Sequence, residues 1–401
     1  MEVTKMMRRF GLLVLAMIML VGGGAVAQDD QRTLEAYLDR FGESSPEVKL
    51  QILETADMLS VEELGPLYLQ AIRFVLTNAD EIENDIVLHD MALFATERIG
   101  EAGYAPATGA LWSLFTEYED NTARIAILEV FGQIGEGDAE LLLDLNGWVQ
   151  AQANLYRGGV APDEQVLRTA LQTLGELADP TSFPALVDIQ LAQISDAITN
   201  EARAAMDAVP GDYVEMAIST VNGRAVMNRL EALTFFLNDP NLTDDERAQI
   251  ATGVLAEAVR EVLRDPTELQ AQRRLRYRTV QVLQDIQYPE ATAYLIGHFN
   301  LTFADYDRGI TAKSWVLEAI AALGTTGTEA AAERLTQFLD LLNTYTENDR
   351  PYDTQIMLAA VTNLGRLGNV AAYDALFYVT LLDYPQRVKD AAREAIDSIT
   401  E

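Results

Sequence analysis

From residue 46 onward, apolar side chains recur every three or four positions, the spacing of a helix with one buried face. Val48, Ile52, Leu53 and Ala56 follow an N-cap and first-turn proline at Ser45-Pro46-Glu47. Ser60-Val61-Glu62-Glu63 reads as a capping box that starts a returning helix, whose buried face is Leu64, Leu67, Tyr68, Ala71, Ile72 and Val75. The pattern then repeats. Residues 86–99 form a helix, and residues 107–118 return from the turn at Tyr104-Ala105-Pro106. Residues 124–134 lead into 139–149. Residues 182–208 read as one long helix, and residues 209–223, with Pro210-Gly211 and Asn222-Gly223 around a short apolar segment, as an insertion or soft boundary. Beyond it come helices over 224–237, 272–286, 313–323, 353–364 and 385–399, with a second capping box at Thr243-Asp244-Asp245-Glu246. In the last helix Val388, Ala391, Ala392, Ala395, Ile396 and Ile399 make one apolar stripe.

The clearest unit runs from Arg168 to Leu186. Leu174-Gly175-Glu176-Leu177-Ala178-Asp179-Pro180 ends one helix in a hard turn, because proline has no amide donor and fixes its own φ, and Leu186 belongs to the helix that folds back. Leu364-Gly365-Arg366-Leu367-Gly368-Asn369 with Leu376, Leu323-Gly324, and Val388-Lys389 with Ala391, Ala392, Ala395 and Ile396 are versions of it. Turn slots near residues 57, 100, 132, 175, 236, 284, 324 and 365 lie mostly about 40 apart, the period of HEAT and armadillo arrays. The chain thus resembles a HEAT-repeat protein. The resemblance implies an all-α, right-handed α-solenoid of stacked antiparallel hairpins, divided into N-terminal repeats over 28–208 and C-terminal repeats over 224–401. It also implies a non-catalytic scaffold for a protein partner.

Residues 1–27 change the picture of where the protein works. Lys5, Arg8 and Arg9 precede an apolar run from Phe10 to Val21, too short for a comfortable span, and Ala25-Val26-Ala27 is a small-x-small cleavage site. The expectation is a Sec-type signal peptide cut after Ala27, and a periplasmic or secreted protein with no stable membrane insertion after cleavage.

The 401 residues are 49% hydrophobic and 23% charged, an ordinary folded composition. There is no cysteine, which excludes disulfides, thiolate metal sites and a cysteine nucleophile. The net charge is −33, and loss of residues 1–27, with three bases and one acid, deepens it by two. Such a surface repels nucleic acid, so none is expected as a partner. Lys49, Lys313 and Lys389 are the only lysines after the cleavage site. Adaptation to high salt and arginine bias from a GC-rich genome are the two alternative readings of that.

Candidate chemistry is sparse. His89 and His298 have no histidine at ligand spacing, and no nucleophile elbow, phosphate loop or dinucleotide fingerprint occurs. No metal or cofactor is expected. Asp305-Tyr306-Asp307-Arg308-Gly309 has the alternation of a calcium loop, but Val316 stands where the bidentate glutamate belongs. An envelope enzyme using groove carboxylates on glycan or peptide is the alternative; it requires two carboxylates with opposed environments in a deep pocket. Against this background Arg273, Arg274, Arg276 and Arg278 form one basic cluster, followed by Tyr277, Tyr288, Tyr294, Phe299, Phe303 and Tyr306. Arginine and tyrosine are favoured at binding hot spots, so Arg273, Arg274, Arg276, Tyr277, Arg278 and Tyr306 are the candidate partner-binding residues. The opposing reading pairs the arginines with carboxylates of the next repeat and buries the aromatics.

Overall fold

Aspartates start many of the helices. In the computed structural model, which describes residues 34–57, 61–82, 85–350 and 352–400, with 61 and 62 by backbone alone, Asp85, Asp120, Asp138, Asp163, Asp265 and Asp353 each accept hydrogen bonds from amides of the first helical turn. Each satisfies donors that the helix itself leaves unpaired and places negative charge at the positive end of the helix dipole. Thr243 and Glu246 form the expected reciprocal capping box. Part of the acidity is therefore helix-capping chemistry. Segment 1–27 and Ser60 lie outside the described residues.

All regular elements among the described residues are helical. The chain divides into two compact units, the first ending at Pro210 and the second running from Gly211. The first unit contains α1 (Pro46–Ala56), α2 (Gly65–Thr77), α3 (Ile86–Glu101), α4 (Thr108–Glu117), α5 (Asn121–Ile134), α6 (Ala139–Arg157), α7 (Glu164–Leu177), α8 (Phe183–Ala192) and α9 (Asp196–Ala208). The second contains α10 (Tyr213–Gly223), α11 (Arg229–Leu237), α12 (Asp244–Arg260), α13 (Pro266–Ile286), α14 (Thr292–Asp307), α15 (Lys313–Gly324), α16 (Glu329–Glu347), α17 (Thr354–Leu367), α18 (Tyr373–Leu381) and α19 (Gln386–Thr400).

Within each unit, helices pack on the helix two places along. In the first unit α3, α5, α7 and α9 follow one another in one row, and α2, α4, α6 and α8 in the other. In the second, α13, α15, α17 and α19 form one row and α12, α14, α16 and α18 the other. Apolar faces of the two rows meet in the middle. In the second unit this core runs without interruption from Ala248 through Leu295, Phe338 and Leu364 to Ala395. A single hairpin could not bury its own apolar face, and the neighbours complete the burial.

Two readings from sequence are corrected here. Residues 182–208 are two helices, because Gln193 takes a left-handed conformation (φ 51°) and Ser195 caps α9 afresh. Within 209–223, read as an insertion or soft boundary, the two units do divide at Pro210, but residues 213–223 are a capped helix, α10, that packs on α12.

The glycine slots also have a different role. Gly132, Gly175 and Gly365 lie inside α5, α7 and α17, near their C-terminal ends, and the chain reverses after them. A Cβ on Gly175 would stand 3.2 Å from the Cα of Ala205 on α9, and one on Gly365 would stand 3.0 Å from the Cα of Ala395 on α19. Glycine is needed where consecutive helices of one row touch backbone to backbone. The reversals use another device. Ala178 (φ 47°), Gln287 (φ 60°) and Gly368 (φ 63°) take the left-handed conformation and lead through one extended residue into a short 3-10 turn and the returning helix.

Gly365→Ala should lower stability by about 1–3 kcal/mol, since the obstacle is backbone of α19 and cannot swing aside. Gly147→Ala, on α6 with nothing within 4 Å of the new methyl, should be neutral or stabilise by up to about 1 kcal/mol. Urea midpoints of the two variants against the parent chain test the contrast.

Candidate docking surfaces

The arginine cluster falls on α13, and its members part ways there. Helical spacing turns Arg276 inward, where it is only 5% exposed, while Arg274 is exposed and Arg273 and Arg278 are half-buried. Asp305, buried in the last turn of α14, holds the group together. Its Oδ2 takes Arg273 Nε at 2.8 Å and lies 4.0 Å from Arg276 Nη2, and its Oδ1 takes Arg308 Nη2 at 2.9 Å. Burial pushes the Arg276 guanidinium down to about 10, with Asp305 opposing the shift and Arg273 adding to it. The group still carries its proton at neutral pH. Arg276 is thus corrected from a partner contact to an interior cation.

The aromatics that follow the cluster are interior or half-buried as well. Tyr277 lies against Trp315 of α15 with ring centroids 4.9 Å apart, and a hydrogen bond with Glu318 together with burial raises its phenol. Phe299, Phe303 and Phe338 make mutual edge and stacked contacts, and Tyr306 reaches Tyr352 edge-on at 6.5 Å. Of the six candidate residues, Arg274 is the one left exposed. Asp305 is what the sequence reading missed. It stood inside the calcium-like alternation, yet it lies within a helix and is engaged by arginines. It lies 32 residues from Arg273 along the chain, beyond the reach of helical spacing, so no local signal pointed to the pair.

His298, on α14, lies in the same interior region at 2% exposure. Its Nε2 is 3.3 Å from Thr302 Oγ1. Burial, reinforced by the Arg276 charge, pushes its imidazole down to about 3, so it is neutral in the folded protein. His89 is half-buried, with its Nδ1 2.7 Å from the Tyr118 hydroxyl. Trp112 and Trp148 converge on Phe115 at 5.2 Å each, so they work at helix interfaces.

The first unit holds a cleft the sequence did not signal. It has a volume of about 490 Å³ and is lined by Glu129, Gly132 and Gln133 of α5 and Thr169, Gln172, Thr173 and Glu176 of α7. Thr173 is fixed at its floor, donating to the Leu128 carbonyl at 2.8 Å. Gln172, exposed at the rim, donates to Glu201 of α9 at 3.1 Å. Glu129, Gln133 and Glu176 are exposed around it. The absence of a side chain at Gly132 leaves room for Glu176, whose Oε2 would lie 2.0 Å from a Cβ there. The surface is a shelf of amide, hydroxyl and carboxylate groups on two adjacent helices. The carboxyls raised by burial, Glu318 and Asp340, belong to the second unit and do not line this cleft.

No family model and no curated protein matches this sequence. One solved structure, described as "Computational Design of Self-Assembling Cyclic Protein Homooligomers", is similar over 86% of this chain and 93% of its own. The identity is 13% and the TM-score 0.12, so the likeness carries no argument about fold or assembly.

Asp305→Asn should cost about 3–5 kcal/mol, because it leaves Arg273 and Arg276 interior without their carboxylate. Denaturant titration of the variant reads this directly. His298 gives a pH signature. Above its unfolded value near 6.5 it is neutral in both states; between 6.5 and about 3 only the unfolded chain takes up the proton, so stability falls as pH falls. His298→Gln should flatten the slope of stability against pH in that window by up to about 1.4 kcal/mol per pH unit.

Proposed function

We propose that this chain is an exported, HEAT-like right-handed α-solenoid that acts as a non-catalytic protein-binding scaffold of the bacterial cell envelope. Two features support the architecture: helices that pack on the helix two places along, and reversals that repeat one left-handed, extended, 3-10 sequence of conformations. Arrays of this kind build extended faces from equivalent positions of successive repeats, and such faces suit binding. Export rests on the signal-peptide pattern of residues 1–27.

The observation that carries the binding role is the cleft between α5 and α7. Over Thr169 and Thr173, which are buried and already donate their hydroxyls to backbone carbonyls, Gln133 and Gln172 are exposed amides, able to donate and accept, on neighbouring helices. Groups of that type, presented side by side, hydrogen-bond the backbone of an extended segment without demanding particular side chains. Glu129 and Glu176 at the same cleft favour a segment that carries basic residues. Arg274 is retained as an exposed cation on α13, and the rest of the arginine cluster has a structural role in this reading.

A photo-crosslinking side chain placed at Gln172 should trap a discrete protein adduct in the cell envelope, and one at Asn154, exposed on α6, should not. Equal labelling at both positions, or no adduct at Gln172, overturns the proposal.

A further inference from the structure

Helix α18 leaves one side uncovered. Its buried side is Ala375, Leu376 and Val379, preceded by Ala372. Helix α16 lies on the flank marked by Ala375 and Tyr378: Asn343 donates to the Ala375 carbonyl at 3.1 Å, and the Tyr378 hydroxyl donates to Glu347. Helix α19 packs on α18 from within the unit. On the side away from α16 stand Val370, Tyr373, Phe377 and Leu381, spaced three, four and four residues apart, which sets them in one stripe. Val370 is 72% exposed, Leu381 63% and Phe377 47%. The rings of Tyr373 and Phe377 stack with centroids 6.2 Å apart and planes 3° from parallel, so the stripe already has a fixed shape. Elsewhere in this row each helix side facing along the row is covered by the next helix: α12 by α14, α14 by α16 and α16 by α18. Among the described residues nothing covers the stripe.

The surroundings are acidic. Asp374 lies beside the stripe on α18 and Asp383 is exposed just beyond the C-terminal end of α18, while Asp340, next to Asp374, and Glu347 are exposed on α16 beyond the flank of Tyr378 and extend the acidic field. Asp340 and Asp374 are close enough that the charge of the second, after partial burial, helps hold the carboxyl of the first above its ordinary range. Among the described residues no arginine or lysine forms an ion pair with either. An arrangement of apolar ridge and unneutralised carboxylates is complementary to a helix with an apolar face flanked by lysine or arginine. A second copy of this chain fits poorly, because pairing across the stripe would bring two such acidic flanks of a protein with net charge −33 onto one interface.

We infer that the Val370–Leu381 stripe of α18 is a docking surface for a basic amphipathic helix of a partner protein, which continues the row of α12, α14, α16 and α18. This surface belongs to the second unit and stands or falls independently of the cleft between α5 and α7.

The probe is a leucine–lysine peptide of about four helical turns, with leucines at helical spacing, compared with a scrambled peptide of the same composition. Binding to the chain from Gln28 onward is read by fluorescence anisotropy at low and moderate salt. The amphipathic peptide should bind at least about tenfold more tightly than the scrambled one. Tyr373→Ser with Phe377→Ser should remove that difference, and Asp340→Asn with Asp374→Asn should weaken binding at low salt by about threefold or more. All four side chains are exposed, so unchanged thermal unfolding of the variants keeps the comparison clean. Equal binding of the two peptides, or no effect of the serine pair, overturns the inference. A concentration-dependent dimer in sedimentation that dissociates in the serine pair also overturns it, by assigning the stripe to a second copy.

Discussion

Close contact between helices two places apart is the constraint on which the rest depends. Each helix carries too little apolar surface on one face to be stable against a single hairpin partner, so it must also be covered along its row. In the first unit that coverage runs from α5 to α7 to α9, and in the second from α15 to α17 to α19. At Gly175 and Gly365 the approach is so close that a methyl group would meet the backbone of the next helix. Where larger groups stand at the seam they are matched across it, as Phe299 meets Phe338 at 5.0 Å. Once rows are in register, the reversals, the caps and the uncovered faces all follow from where each helix has to end.

The charge of the chain has a structural share. Aspartates at Asp85, Asp163 and Asp353 close the first turns of α3, α7 and α17, and Asp353 also takes Lys313 Nζ at 2.9 Å, tying the starts of α15 and α17 together. Buried Asp305 takes Arg273, with Arg276 at 4.0 Å and the exposed Arg308 from the outside, and Glu261 takes both terminal nitrogens of buried Arg229, at 2.6 and 3.3 Å. The Arg273–Asp305 and Arg229–Glu261 pairs each link residues 32 apart in the chain, and removing Asp305 or Glu261 would leave a buried or half-buried guanidinium without its carboxylate. What remains of the acidity is on the surface, in part at the cleft beside Gln133 and Gln172 and near the α18 stripe.

Much of the fold was legible because helical periodicity and capping are local. The Leu174–Pro180 stretch reads as a helix end and reversal from seven consecutive residues, and Thr243 with Glu246 reads as a capping box because both partners lie within one turn. Errors arose where a local signal had two physical causes. At the turn slots near 132, 175 and 365 the glycines mark contact with another helix, and the chain reverses a few residues later. Gln193 gave no sign of breaking residues 182–208, since a left-handed glutamine is stabilised by its surroundings rather than by its type.

The candidate site was less legible still, for the same reason. Arg273, Arg274, Arg276 and Arg278 look alike in sequence, and a turn of 100° per residue sends one inside and leaves another in water. By itself the sequence determined the helical class, the capping box of Thr243 and Glu246 and the strong acidity, because each depends on neighbours a few residues apart or on composition. Only the tertiary structure decided that Asp305 pairs with Arg273 and stands beside Arg276, that polar groups of α5 and α7 share a cleft, and that one side of α18 stays uncovered. Those outcomes depend on contacts between residues tens of positions apart, which helical spacing along the sequence does not encode.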